Sequence, residues 1–229
     1  MDEFQRELRK ARLKIAQVAA TDRFRGHVEI AARELAKHGK FVTGFKAPGK
    51  PYFYWPSVLQ HGRAFSAITD VFRDRYVGFR GKLAMVHSGG LILGPSLLCE
   101  LQLPEGLVLM PTGKVPEPKL ETARYHTAYA AREQLAIETS ALGCRSGEPD
   151  QKLAIVIDDT VEDGGTALSV CDLLESHGFL VVEVACLYTL GATGRDRLNE
   201  RDIPVFSICS ANRESIAQHA DVVPTAATP

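Results

Sequence analysis

At 229 residues, 45% hydrophobic and 24% charged, the chain has the size and make-up of one sizeable α/β domain with at most a small subdomain attached. A formal net charge of −1 supplies no general attraction to nucleic acid or an acidic membrane surface, and no apolar run reaches the roughly 20 residues of a membrane span. The cysteines, Cys99, Cys144, Cys171, Cys186 and Cys209, are scattered without CxxC or Cys/His metal spacing and read as reduced thiols of a cytoplasmic protein. The amino-terminal stretch MDEFQRELRKARLKIAQ has no apolar segment before a cleavage site, and Glu3 and Glu7 argue against a transit peptide, so neither kind of leader is expected.

In chain order, Phe4, Leu8, Leu13, Ile15 and Val18, then Val28, Ile30, Ala31 and Leu35, predict helix over residues 2–38, ending at His38-Gly39. Phe45–Pro56 is dense in proline and aromatic residues and reads as a structured loop. Its Tyr52, Phe53, Tyr54 and Trp55 form either a stacking hood over a planar ligand or the core of a small subdomain. Ser57–Tyr76 is a predicted helix with Ala64, Ile68, Val71 and Phe72 on one face.

From there strand, turn and helix alternate. Lys82–Val86 is a strand ended by His87-Ser88-Gly89-Gly90, Leu91–Leu101 a helix and Leu107–Met110 a strand. Thr112–Thr122 reads as a mobile loop, Ala136–Thr139 as an edge strand and Gly143–Gln151 as a polar turn. Leu153–Ile157 is an uninterrupted apolar strand of the type buried on both faces of a parallel sheet, and Thr166–His177 is a helix stopped by Gly178. Leu180–Leu187 is another buried strand, Arg195–Glu200 a short helix, Pro204–Cys209 a last strand and Thr225–Pro229 a disordered tail. The alternation implies an α/β fold with a doubly wound parallel sheet. We divide the chain into a helical extension (1–40), the main domain (41–215) and a tail (216–229), with no internal repeat.

Ligands of open parallel sheets bind beyond the carboxyl ends of the strands. After Leu153–Ile157 the chain reads Asp158-Asp159-Thr160-Val161-Glu162-Asp163-Gly164-Gly165-Thr166-Ala167. Adjacent acids at a strand end suit sugar hydroxyls or a magnesium ion held through water. The Gly-Gly-Thr that follows lets backbone N–H groups gather at a helix amino end, where an anion is favoured. Together these features describe a ribose-phosphate site.

The stretch Ile155–Ala167 resembles the phosphoribosyl pyrophosphate (PRPP) signature of type I phosphoribosyltransferases: an apolar strand, an acid pair, a short spacer, then usually Ala-Thr-Gly-Gly-Thr. Further likeness points to the adenine-type branch: Phe45–Gly49, Gly90–Pro95, Gly113–Pro116, Tyr125–Tyr129 and Arg195–Leu198 resemble its motifs in order, from about residue 45 to about 210. The resemblance implies a phosphoribosyltransferase-type sheet with a small amino-terminal hood subdomain and the helical extension. It also implies magnesium-assisted transfer of 5-phosphoribosyl from PRPP to a purine, in a cytoplasmic homodimer without nucleic-acid or membrane partners.

By position, Asp158 and Asp159 would take the ribose hydroxyls and hold Mg2+ indirectly, through PRPP or water. Glu162, Asp163, Gly164, Gly165, Thr166 and Ala167 would surround the 5-phosphate, and Ser88, Gly89 and Gly90 would face pyrophosphate. Lys114 and Tyr125 would sit on a closing loop and act in catalysis. Pro51, Phe53 and Leu190 would line the base pocket.

The departures from that pattern share a direction. The arginine of the family's pyrophosphate loop is Gly89, its next Arg-Lys pair falls on Pro111 and Thr112, a glutamate near the base is Ala128 and a base-side arginine is Phe53. In the cradle Ala-Thr becomes Glu162-Asp163. Two like charges ~4 Å apart at an effective dielectric near 20 repel by about 4 kcal/mol, roughly a thousandfold in affinity. Three readings follow: PRPP is still used, with Lys50, Lys114, Lys119 or Arg124 replacing the lost cations; a less anionic ribosyl ligand such as a nucleoside is bound; or the protein senses a nucleotide without turnover. His87 and His126 are candidate ligand contacts or plain surface histidines.

Overall fold

Five consecutive apolar residues at Leu153–Ile157 require cover on both faces, and the molecule is arranged around that demand. The computed structural model describes residues 3–43, 51–112, 120–125, 133–142, 152–211 and 221–222. The helices are α1 (Glu3–Ala19), α2 (Asp22–His38), α3 (Pro56–Leu59), α4 (Gly62–Arg75), α5 (Gly89–Glu100), α6 (Gly165–Ser176) and α7 (Thr193–Asn199). The strands are β1 (Phe41–Thr43), β2 (Pro51–Phe53), β3 (Lys82–Val86), β4 (Gly106–Pro111), β5 (Leu120–Tyr125), β6 (Glu133–Glu138), β7 (Leu153–Ile157), β8 (Thr160–Val161), β9 (Leu180–Leu190), β10 (Val205–Ala211) and β11 (Asp221–Val222).

The main sheet runs β10-β9-β7-β3-β4-β6-β5, with β8 pairing onto β9 beyond β7. Its five strands from β10 to β4 are parallel; β6 and β5 extend it antiparallel. Alternate strand residues enter two cores. Leu83, Met85, Ile155 and Ile157 meet Leu93 of α5 and Ile68 and Phe72 of α4, while Ala84, Val86, Ala154 and Val156 meet Val170 and Leu174 of α6. The expected doubly wound class is therefore observed, with the helical amino terminus added to one face.

Several boundaries differ from the sequence expectations. The expected helix over 2–38 is two helices within the described residues 3–38, because Thr21 takes an extended backbone and its hydroxyl accepts the Phe24 N–H at 3.2 Å to start α2. The expected helix Ser57–Tyr76 breaks at Gln60-His61 into α3 and α4, and the loop before it contains β2. Ala136–Thr139 is no edge strand: β6 is flanked by β4 and by β5, which takes up residues 120–122 of the expected loop and forms the edge. β11 lies in the span read as a tail and joins β1 and β2 in a separate three-stranded sheet. Gly143–Gln151 and Thr225–Pro229 fall outside the described residues.

Among the described residues, β9 carries the sheet's one buried acid amid apolar neighbours. Its register against β7 shifts between Ala154 and Ile155, so that Ala154 pairs with Val181 but Ile155 with Glu183. Glu183 thereby meets the buried Arg75, whose Nε and Nη2 donate to it at 2.7 and 2.5 Å, and the Tyr76 hydroxyl, which donates at 2.7 Å. The guanidinium lies 4.0 Å from the Phe206 ring centroid. Burial works to lower the Arg75 pKa, but the Glu183 hydrogen bond and the neighbouring charges outweigh it and the net shift is upward. α1 is clamped beside this cluster by Arg12, which donates to the Val181 and Val182 carbonyls and to Asp202.

Removing one partner of a buried pair strands the other charge, so Glu183→Ala should destabilise the fold by about 3–5 kcal/mol in urea unfolding, with the double change Arg75→Met, Glu183→Leu costing much less. A second expectation concerns His38, whose ring centroid lies 3.8 Å from that of His61. Partial burial, then His61 and Lys37, hold its pKa below the ordinary imidazole value of 6.5 against the pull of Glu34. The unfolded chain therefore takes up a proton first. This contribution to stability is full above pH 6.5 and is lost as the pH falls through the lowered value. His38→Gln should flatten the decline in melting temperature as the pH falls below 6.5.

Candidate active site

The carboxyl ends of β3, β7 and β9 converge, and the turns that leave them hold most of the residues singled out from the sequence. β7 ends at Ile157 and hands the chain to Asp158 and Asp159, only 9% and 8% exposed. The Asp158 N–H donates to the Ala185 carbonyl at 3.0 Å, and the Asp159 carbonyl accepts from the N–H groups of Leu187 and Tyr188 at 3.0 and 3.1 Å. β9 thus grips the acid pair by its backbone. The side chains are held as closely: Asp158 Oδ1 accepts the Asp159 N–H at 2.8 Å, Asp159 Oδ1 accepts from Thr160 Oγ1 at 3.1 Å, and Asp159 Oδ2 accepts from Trp55 Nε1 at 3.0 Å.

The turn into α6 follows through β8. Gly164 sits at φ +78°, a left-handed conformation that favours glycine, and marks the start of α6. The first backbone bond of the helix runs from the Leu168 N–H to the Gly164 carbonyl at 2.9 Å, so the N–H groups of Gly165, Thr166 and Ala167 precede the helical ladder. Asp163 Oδ1 accepts that of Gly165 at 2.8 Å. One donor of the anion cradle is thus already met by the chain's own carboxylate. The Glu162 side chain is half-buried, and its carbonyl accepts the Gly194 N–H at 2.9 Å.

α7 buttresses this turn. Gly194 packs so closely that an added Cβ would lie 2.5 Å from the Glu162 carbonyl oxygen and 2.8 Å from the Gly164 nitrogen. Arg197 donates to the Asp163 carbonyl at 2.6 Å, and Arg195 ties the ends of β9 and β10 together through Thr189 at 2.9 Å and Ser210 at 3.0 Å. Spacing alone did not reveal this support; its trace in the sequence is the ordered match at Arg195–Leu198.

From β3, Ser88 leads into Gly89 and Gly90, which open α5 two residues earlier than expected. A Cβ on Gly89 would collide with the Asp159 side chain and one on Gly90 with the Ile157 carbonyl, so both glycines lie directly on the end of β7. Ser88, Gly89, Gly90, the acid pair and residues 162–167 are thus gathered at one edge of the sheet. Leu190 is buried at the end of β9. Phe53 is 1% exposed and packs with Phe41, Trp55 and Tyr188 at centroid distances of 5.3, 5.3 and 5.4 Å, so Phe53 and Trp55 belong to a core rather than an open hood. Pro51 opens β2 and Tyr125 closes β5, their side chains lying outside the described set, as do Lys114 and His126 altogether. Cys186 is no nucleophile: burial, then the Asp158 and Asp159 charges, push its thiol pKa well up.

A parallel sheet presenting paired acids and a glycine turn before a helix at its carboxyl edge defines an α/β protein whose candidate site has the chemistry to suit a sugar phosphate. The family model for the phosphoribosyl transferase domain matches residues 59–224. The adenine phosphoribosyltransferase of Mus musculus is 38% identical over 180 residues, covering 76% of this chain and 93% of that protein. Its counterpart in Roseiflexus castenholzii is 34% identical over 161 residues, covering 69% and 87%. The adenine phosphoribosyltransferase of Giardia lamblia, in a crystal structure with 9-deazaadenine, shares the fold with a TM-score of 0.68 at 21% identity, over 80% of this chain and 98% of that one. The chain belongs to the phosphoribosyltransferase family.

Because backbone meets backbone at Gly194, its replacement by alanine cannot be absorbed by a side-chain rotation. Gly194→Ala should cost about 1–3 kcal/mol in urea unfolding and speed amide exchange selectively over residues 162–166.

Proposed function

We propose that the protein transfers a 5-phosphoribosyl group from PRPP to a purine base of the adenine kind and releases pyrophosphate. The observation that carries this reading is the buried Asp158-Asp159 pair at the end of β7, running into Gly164 and the amino end of α6 in a chain 38% identical to a mouse adenine phosphoribosyltransferase. Breaking the sugar's C1–O bond leaves a cationic, oxocarbenium-like ring. In this reading Asp158 and Asp159 accept the ribose hydroxyls, and their charge favours that cation over neutral sugar. The N–H groups of Thr166 and Ala167, with Gly164 and Gly165, receive the 5-phosphate beside Glu162 and Asp163. Ser88, Gly89 and Gly90 face pyrophosphate, Lys114 and Tyr125 (the latter at the end of β5) act in catalysis, and Pro51 and Leu190 bound the base, with Phe53 kept in the core.

Adjacent carboxylates suit a hard cation approached through water, and among the described residues no group of three or more His, Cys, Asp or Glu forms a protein cage for a metal. Asp158 and Asp159 would accordingly hold Mg2+ through water or PRPP oxygens, where it supplies charge neutralisation for the leaving pyrophosphate. A cytoplasmic homodimer, with residues 1–40 as an extension of a domain spanning 41–215, completes the reading.

Incubation with PRPP, magnesium and adenine, hypoxanthine, guanine or xanthine in turn should release pyrophosphate, with adenine the best acceptor. Asp158→Asn should lower kcat/KM by about a hundredfold or more. No pyrophosphate with any base, despite PRPP binding, would overturn transfer in favour of a nucleotide sensor.

A second reading, a ribosyl ligand without the 5-phosphate, draws on one contact: Asp163 Oδ1 on the Gly165 N–H. A thermal-shift comparison of PRPP with adenosine separates the two, since stabilisation by adenosine alone favours the second. The paired change Glu162→Ala, Asp163→Thr should then raise PRPP affinity.

A further inference from the structure

Trp55 is the chain's one tryptophan, only 3% exposed, and its indole N–H meets Asp159 Oδ2 at 3.0 Å across 104 residues of sequence. An indole can only donate, and a donor aimed at a carboxylate makes the stronger, charge-assisted kind of hydrogen bond. The same carboxylate leans on Gly89: a Cβ there would lie 2.6 Å from Asp159 Oδ2 and nearer still to its Cβ and Cγ. The absence of a side chain at position 89 and the presence of an indole at position 55 therefore act on one group. An arginine at position 89 could not coexist with this placement of Asp159.

The indole ring continues into the aromatic cluster. It packs edge-on against Phe53, 5.3 Å between centroids at 84°, and Phe53 touches Tyr188 at 5.4 Å. The Tyr188 N–H returns to the Asp159 carbonyl at 3.1 Å. Side chain and backbone of Asp159 are thus both tied to the β2–β9 aromatic cluster, and no other acid among the described residues receives an indole N–H.

We propose that Trp55 is a positioning residue: together with Gly89, whose missing side chain lets Asp159 pack against it, its N–H fixes Asp159 in the orientation that receives a ribosyl hydroxyl and links that acid to the aromatic cluster beside the base. The ribosyl role of Asp159 rests on the function proposed above; the link between Trp55 and Asp159 does not. A residue that merely filled the core would affect all ligands and stability alike. A positioning residue affects the ribosyl ligand selectively.

The single tryptophan gives the test one resonance to follow. In 15N-labelled protein the indole N–H peak should lie at low field and exchange slowly with solvent. Asp159→Asn should move it upfield, Gly89→Ala should move it by crowding Asp159, and ribose 5-phosphate should shift it in the wild type. Trp55→Phe should raise the KM for PRPP on the order of tenfold and leave the KM for adenine within about twofold. An indole peak that ignores Asp159→Asn in a folded protein, or a Trp55→Phe variant whose two KM values change equally, would overturn the proposal. If no base yields pyrophosphate, PRPP transfer fails as a function while the response of the peak to Asp159→Asn still decides the link. If turnover holds and the peak stays put, this proposal alone falls.

Discussion

Where β7 ends, two carboxylates must leave a sheet that is buried on both faces, and β9 makes that exit stable by closing its backbone around them. The Ala185 carbonyl takes one N–H, and the Asp159 carbonyl takes two, from Leu187 and Tyr188. Without these bonds the strand end would bury unmet polar groups beside two negative charges, at a cost no core residue nearby could offset. The close approach of β3 follows from the same constraint, because Gly89 and Gly90 have to fit against Ile157 and Asp159. So does the position of α7, which touches the turn only because Gly194 has no side chain.

The face of the sheet covered by α4 and α5 answers to a different demand. The register shift in β9 brings Glu183 to Arg75 and Tyr76, and α1 and α2 close over that region with Ile15, Phe24, Ala31 and Leu35 in the core. A buried bidentate pair of this kind adds little net stability relative to a well-packed apolar replacement, yet it penalises any register that separates the partners. The amino-terminal helices are thus integral to one layer of the α/β sandwich.

The departures from the adenine-type pattern acquire structural meaning at the site. Gly89 stands where an arginine would meet Asp159, and Trp55 supplies that acid with a neutral donor. Asp163 turns its carboxylate onto the Gly165 N–H, so one of the two added acids is compensated locally by the helix amino end. The added charge of Asp163 is therefore partly met within the protein.

Much of this was legible from the residues. Lys82–Val86 and Leu153–Ile157 match their strands, because an unbroken apolar run bounded by Gly or Asp has few other states open to it. The acid pair and the glycine turn needed only their order along the chain. By contrast, β6 could not be told from an edge strand, since residues 120–122 of its neighbour β5 lie in a stretch with no apolar period. The split at Thr21 turned on one local hydroxyl bond competing with a continuous helical period. The Trp55–Asp159 bond and the Gly194 contact join residues far apart in sequence, and no spacing rule encodes a distance that depends on how sheet, hood and α7 pack. Local periodicity and backbone sterics set which segments become strands, turns and helices; only the tertiary structure decided which side chains meet, because burial and close contact are properties of the packed whole.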